Sequence, residues 1–124
     1  MDRRALKREY KESARPMGVY RVLNTANGKA LVGSSINVQA MLNRHQAQLK
    51  MGLHQNRELQ NDWNQLGADV FQFEVLDMLT PTEEPGYDPS EDLRALEDLW
   101  LARLSPFGEQ GYNGKPKQSS SSKV

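Results

Sequence analysis

Residues 16–45 read PMGVYRVLNTANGKALVGSSINVQAMLNRH, and the change of period within this stretch decides the fold. Met17 to Leu23 sets Val19, Tyr20, Arg21 and Val22 in a run suited to a pleated surface. Alternation puts Gly18, Tyr20 and Val22 on one face of that strand, with Val19 and Arg21 on the other. Asn27-Gly28 predicts a tight hairpin of type I′, in which both central residues take positive φ. Lys29 to Gly33 resumes the apolar run, and Gly33-Ser34-Ser35 ends it. From Asn37 the period lengthens. Val38, Met41, Leu42, His45 and Leu49 fall on one face at helical spacing, so a helix is expected over 37–50 with Asn37 as its cap.

The chain downstream follows the same grammar. Met51-Gly52-Leu53-His54 turns the backbone, and a second helix is expected over 56–66, with Leu59, Trp63 and Leu66 as its apolar stripe and Gly67 as its stop. Trp63 reads as a core anchor rather than a base-stacking platform, and His54 and Asn56, which could approach a phosphate chain, read instead as structural residues. Val70 to Leu79 alternates apolar and polar residues as a third strand does. Thr80 to Pro89, rich in proline and acid, is expected to be a loop. Asp88-Pro89-Ser90-Glu91 predicts the start of a last helix, whose stripe is Leu93, Leu96, Trp100, Leu101 and Leu104. Glu97 stands inside that stripe. A carboxylate on a buried face is costly unless it is paired or holds a metal ion. Periodicity alone therefore singles out Glu97, with a cation, Arg44 or Tyr20 as the alternative partners. The fold expected is a small α/β domain, a three-stranded antiparallel sheet flanked by helices.

A chain of 124 residues with 37% hydrophobic and 26% charged residues is one domain with a modest core. It holds no cysteine, which excludes disulfides and thiolate metal sites and fits a cytoplasmic protein. There is no long apolar run and no signal-like N-terminus, so neither a membrane span nor secretion is expected. The net charge of zero hides a polarised distribution. Residues 1–57 carry 11 Lys or Arg against 3 Asp or Glu, residues 58–109 carry 2 against 13, and residues 110–124 carry 3 against none. Either the two halves neutralise each other by packing, or the basic half meets nucleic acid. Residues 1–16 read as a basic arm or helix, and residues 114–124 as a disordered, basic, Ser-rich tail.

Gly18-Val19-Tyr20, ten intervening residues and Leu31-Val32-Gly33 resemble the paired signature of the GIY-YIG nuclease superfamily. The resemblance continues through His45 on the first helix, the run from His54 to Asn64, Glu97 three residues before Trp100, and the closing Gly111-Tyr112-Asn113. It covers residues 17–113, which makes that span a GIY-YIG-like domain. Two positions depart from the pattern. Leu31 stands where the family has a second signature tyrosine, and Met41 stands where it has an arginine.

What the resemblance implies is a divalent-metal-dependent DNA endonuclease that hydrolyses phosphodiesters. Glu97 would be the ligand of Mg²⁺ or Mn²⁺, Tyr20 and His45 would orient or deprotonate water, and Asn113 would support the site or cap a backbone turn. No small-molecule cofactor is implied. A phenol with an ordinary pKa of about 10 needs a cation or a metal-bound water beside it to act as a base at neutral pH. Arg44 is the candidate to supply the phosphate-binding guanidinium that Met41 lacks, although three residues of helix displace it by about 4.5 Å and roughly 60°. The alternative is a catalytically degenerate domain that binds nucleic acid or a protein partner without cleavage, which Leu31 and Met41 motivate directly.

Overall fold

The computed structural model describes residues 16–80 and 86–114. The arm expected over 1–16, the tail expected over 114–124 and the middle of the loop expected over 80–89 lie outside the described residues, apart from their edges. Strands β1 (Met17–Asn24), β2 (Ala30–Ser35) and β3 (Phe71–Leu79) form one antiparallel sheet in the order β2-β1-β3. Helices α1 (Val38–Met51) and α2 (Arg57–Leu66) sit between β2 and β3 in the chain, and α3 (Ser90–Leu104) follows β3. This is the architecture expected from the pattern, with boundaries moved by a residue or two.

The sheet separates two apolar layers because β1 and β2 alternate strictly in register. Tyr20 and Val22 face α1 and α2, where they meet Val38, Leu42, Leu49, Leu59 and Trp63. Val19 and Val32 face the opposite way, toward Leu96, Trp100 and Leu101 of α3. Trp63 is a core anchor as expected, 8% exposed and packed at 5.3 Å against the ring of Phe71. β1, flanked on both sides and covered on both faces, is the rigid centre of the domain. Pairing with β3 shifts between Val19 and Tyr20, a bulge that leaves Leu76 unpaired so that it joins the α3 layer.

The hairpin corrects the type I′ expectation. Gly28 takes φ 80°, but Asn27 is not among the residues at positive φ. The connection is longer than two residues. Asn24 N–H bonds Lys29 O at 2.8 Å, and Gly28 N–H bonds Asn24 O at 2.8 Å. The physical reason lies in two side chains. Asn24 Oδ1 accepts from Ala26 N and Asn27 Oδ1 accepts from Lys29 N, each at 2.9 Å. These Asx turns carry the backbone round with one left-handed residue instead of two.

The free edge of β2 is closed by the end of the described chain. Tyr112 N–H bonds Ala30 O at 2.8 Å. The Asn113 amide then serves as a surrogate strand, accepting from Val32 N at 2.8 Å and donating to Val32 O at 2.9 Å. Beyond Val32 this edge opens, and the site lies there.

Candidate active site

Tyr20 lies on the central strand with its ring laid across Gly33 of β2. A Cβ at position 33 would stand 2.4 Å from the phenolic oxygen and 2.7 Å from Cζ, so only glycine leaves room for this placement. Tyr20 Oη is 2.9 Å from His45 Nε2, and His45 Nδ1 is 2.8 Å from His54 Nε2. The imidazoles stack with centroids 5.0 Å apart. The three side chains, with Leu31, Gln55 and Asn56, line an open cleft of about 360 Å³.

Local structure explains why His54 meets His45 nine residues after it. Gly52 ends α1 in the left-handed conformation, φ 76°. Gly52 N–H bonds Leu49 O at 3.1 Å and Leu53 N–H bonds Gln48 O at 2.9 Å, which reverses the chain on the last turn of the helix. His54 is then held from both sides. Its own N–H donates to the buried Gln60 Oε1 at 2.9 Å, and its Nδ1 accepts from Asn56 N at 3.0 Å. Asn56 caps α2 through Leu59 N at 3.0 Å, and its amide donates to Tyr112 O at 2.6 Å. One residue thereby links the site, the second helix and the segment that closes β2.

Glu97 comes from α3 on the other face of the sheet. Ser34, next in chain to Gly33 and therefore pointing the opposite way, donates its hydroxyl to Glu97 Oε1 at 2.6 Å. Ser34 is thus the partner of this half-buried carboxylate, in place of the Arg44 or Tyr20 contacts that periodicity had suggested. Oε2 has no partner among the described residues. Glu97 is still within electrostatic reach of the phenol across the open edge of β2. Burial, and then the charge of Glu97, push the Tyr20 hydroxyl up to about 12. The neighbouring imidazoles move the other way. Burial, followed by the charges of His54 and Arg44, pushes His45 down to about 4, and burial lowers His54. At neutral pH the cleft therefore presents a neutral phenol beside two neutral imidazoles.

The five residues singled out from the sequence do not all converge. Tyr20 and His45 are hydrogen-bonded to each other, and Glu97 stands across the strand edge from them. Arg44 is exposed on the helix turn beside His45, with no hydrogen bond or ion pair to a described residue. The Asn113 side chain is committed to the backbone of Val32. Leu31 and Met41, the two departures from the motif, both pack against the α1 layer beside Tyr20. His54, read from the sequence as part of a turn, is a full member of the row. The signal that could have found it is the pairing of the Gly52 stop with the Asn56 cap, which folds the intervening turn back onto α1.

The fold, a three-stranded antiparallel sheet flanked by helices, has solved counterparts. No model of a known protein family matches the chain. The catalytic domain of the homing endonuclease I-TevI superposes with a TM-score of 0.64 at 28% identity, over 81% of this chain and 99% of that one. A glutamate-to-alanine mutant of the I-TevI catalytic domain gives 0.63 at 26% identity, over 79% and 92%. In sequence the chain is 31% identical over 96 residues to intron-associated endonuclease 1 of Enterobacteria phage T4. That alignment takes in 77% of this chain and 36% of the relative, so the chain spans about a third of the length of the curated protein it matches. The chain is a homologue of the T4 endonuclease, and its domain has the fold of the catalytic domain of I-TevI, a GIY-YIG homing endonuclease.

Proposed function

We propose that the chain is a divalent-metal-dependent DNA endonuclease that hydrolyses phosphodiester bonds. The observation that carries this reading is the open edge of β2, where the Tyr20–His45–His54 row lines one face of the sheet and Glu97, on the other face, lies within electrostatic reach of Tyr20. Among the described residues no three His, Asp or Glu converge on one point. That suits Mg²⁺ or Mn²⁺, which commonly take one or two carboxylate oxygens and leave their other positions to water and substrate phosphate. Glu97 would hold the ion, with Ser34 fixing the rotamer. When bound, such an ion polarises the phosphoryl oxygen and neutralises developing charge.

The remaining roles belong to the chain's own groups. Tyr20, held in place by His45, orients the attacking water in the cleft. Arg44, exposed beside His45, and Arg57, exposed beside Asn56, offer guanidinium groups to phosphate oxygens. Asn113 acts at a distance, pinning Val32 and so fixing Gly33 and Ser34. A second reading is favoured by one observation: Leu31 and Met41 place two apolar side chains against the Tyr20 layer, where the family motif has a phenol and a guanidinium. On that reading the domain binds nucleic acid, or a protein, without cutting.

The discriminating experiment is cleavage of fluorescent single- and double-stranded DNA with Mg²⁺ or Mn²⁺ against EDTA, alongside Glu97→Ala. Metal-dependent cutting that the variant lacks supports the nuclease. Cutting retained by Glu97→Ala removes that residue from the mechanism. Salt-sensitive binding without cutting selects the second reading, because phosphate contacts release counterions.

A further inference from the structure

The hydrogen-bonded row at the cleft begins at a group whose role is fixed. Asn56 N–H is a backbone amide that only donates, and it meets His54 Nδ1 at 3.0 Å. That nitrogen must therefore be the bare one. A neutral imidazole carries a single ring proton, so the proton of His54 sits on Nε2, which faces His45 Nδ1 at 2.8 Å. His45 Nδ1 must accept. The His45 proton is then on Nε2, which faces Tyr20 Oη at 2.9 Å. The phenolic oxygen accepts that bond, and among the described residues no other acceptor lies within reach of its own hydrogen.

The opposite arrangements fail for the same reason. A reversed row would set a His54 Nδ1–H head-on against Asn56 N–H. A His54 imidazolium would do so as well, and a His45 imidazolium would set its Nδ1–H against the His54 Nε2–H. Burial of both rings acts in the same direction by disfavouring the charged forms.

We infer that His54 is a positioning residue which, aligned by the Asn56 amide, orients the Tyr20 hydroxyl as a hydrogen-bond donor toward an oxygen ligand in the cleft, a phosphate oxygen or a water, and leaves His45 unable to take the phenolic proton. If Tyr20 serves as a base, its proton must therefore leave outward, to a group in the cleft. The identity of the ligand rests on the nuclease reading, whereas the position of the ring protons does not. Gln60 and Gly52 are the structural supports of this polarity, since together they hold His54 in the turn.

The test is direct because the chain has two histidines. Nitrogen-15 imidazole spectra of the full chain at neutral pH are expected to show both rings neutral with the proton on Nε2, and a coupling across the bond from His54 Nε2 to His45 Nδ1. H54Q, which can present an amide N–H to His45, keeps the His45 proton on Nε2. H54E presents an acceptor and moves that proton to Nδ1, or adds a second one. A wild-type His45 protonated on Nδ1, or a His45 indifferent to H54E, overturns the inference. Should H54E fail to fold, the wild-type spectrum decides alone. In the cleavage assay H54Q is expected to exceed H54E by roughly 10-fold, the scale of losing an orienting partner. Equal rates for the two would overturn the positioning role. Absence of cutting in every form, with the expected spectrum, counts against the nuclease reading and leaves the tautomer assignment in place.

Discussion

Gly33→Ala tests the placement of Tyr20 most sharply. The added Cβ would stand 2.4 Å from Oη, 2.7 Å from Cζ and 3.1 Å from Cε2. Comfortable carbon contacts begin at about 3.5 Å, so the ring must withdraw by about 1 Å. The 2.9 Å contact with His45 does not survive that movement unless His45 follows, and His45 is tied to His54 at 2.8 Å. Overpacking of this kind costs about 1–3 kcal/mol, and a stranded imidazole N–H adds about 1 kcal/mol. In a domain of this size ~2 kcal/mol lowers the melting temperature by roughly 10 °C. The assay is thermal unfolding of Gly33→Ala, Tyr20→Ala and the double variant. Once the phenol is gone, the methyl group added at position 33 meets no ring, and the better strand behaviour of alanine should make the substitution neutral or stabilising by about 0.5–1 kcal/mol. The sign of the Gly33→Ala effect thus reverses between the two backgrounds, a coupling that a double-mutant cycle isolates. An equal penalty in both would refute the claim that position 33 is glycine for the sake of Tyr20.

Three further outcomes are expected. Asn56→Ala removes the cap of α2 and the bond to Tyr112 O together, and should lower stability by about 1–3 kcal/mol in urea titration; a loss below about 0.5 kcal/mol, less than a helix cap alone contributes, would contradict the linking role. Acid should destabilise the domain through His45: its folded value of about 4 lies below the unfolded 6.5, so the unfolded chain binds the extra proton in that window and the contribution, complete above about pH 6.5, is lost as pH falls toward 4. Allowing for the part-exposed ring, that amounts to about 1–2 kcal/mol, and His45→Gln should flatten the same stretch of a stability–pH curve. Restoring the motif with Leu31→Tyr and Met41→Arg together should raise cleavage by about 10²–10³-fold, the scale of one preorganised donor at a charged transition state; no gain in single-turnover rate would show that the two positions do not limit the chemistry.

Most of the architecture was legible because burial writes itself into period. Val38, Leu42 and Leu49 mark the inner face of α1, and Leu59 and Trp63 that of α2, where they are indeed buried. Glu97 was legible for the complementary reason, a charge placed within an apolar stripe. Long-range partners were not. Nothing local pairs Ser34 with Glu97 across 63 residues, or Asn113 with Val32 across 81. The hairpin misled because Asn-Gly is a strong type I′ signal, while the side chains of Asn24 and Asn27 imposed a longer turn. His54 was read as structural because a lone histidine in a turn carries no periodic signal, and its place depends on a reversal set by Gly52.

The site is asymmetric in what holds its halves. On the cleft side, each polar group of the row is held by another, from the Asn56 amide through His54 and His45 to Tyr20. That side is preorganised by hydrogen bonds anchored on Asn56, the residue whose side chain also caps α2. On the far side, Glu97 is oriented by Ser34 alone among the described residues, and its second oxygen has no structural use there. A carboxylate oxygen with no partner adds no hydrogen bond to the stability of the domain. Leu31 and Met41 are apolar and packed where the family motif has polar groups, whereas Glu97 presents a polar group that packing does not require. That unpartnered oxygen is the physical reason for proposing a cation-dependent nuclease ahead of an inert remnant.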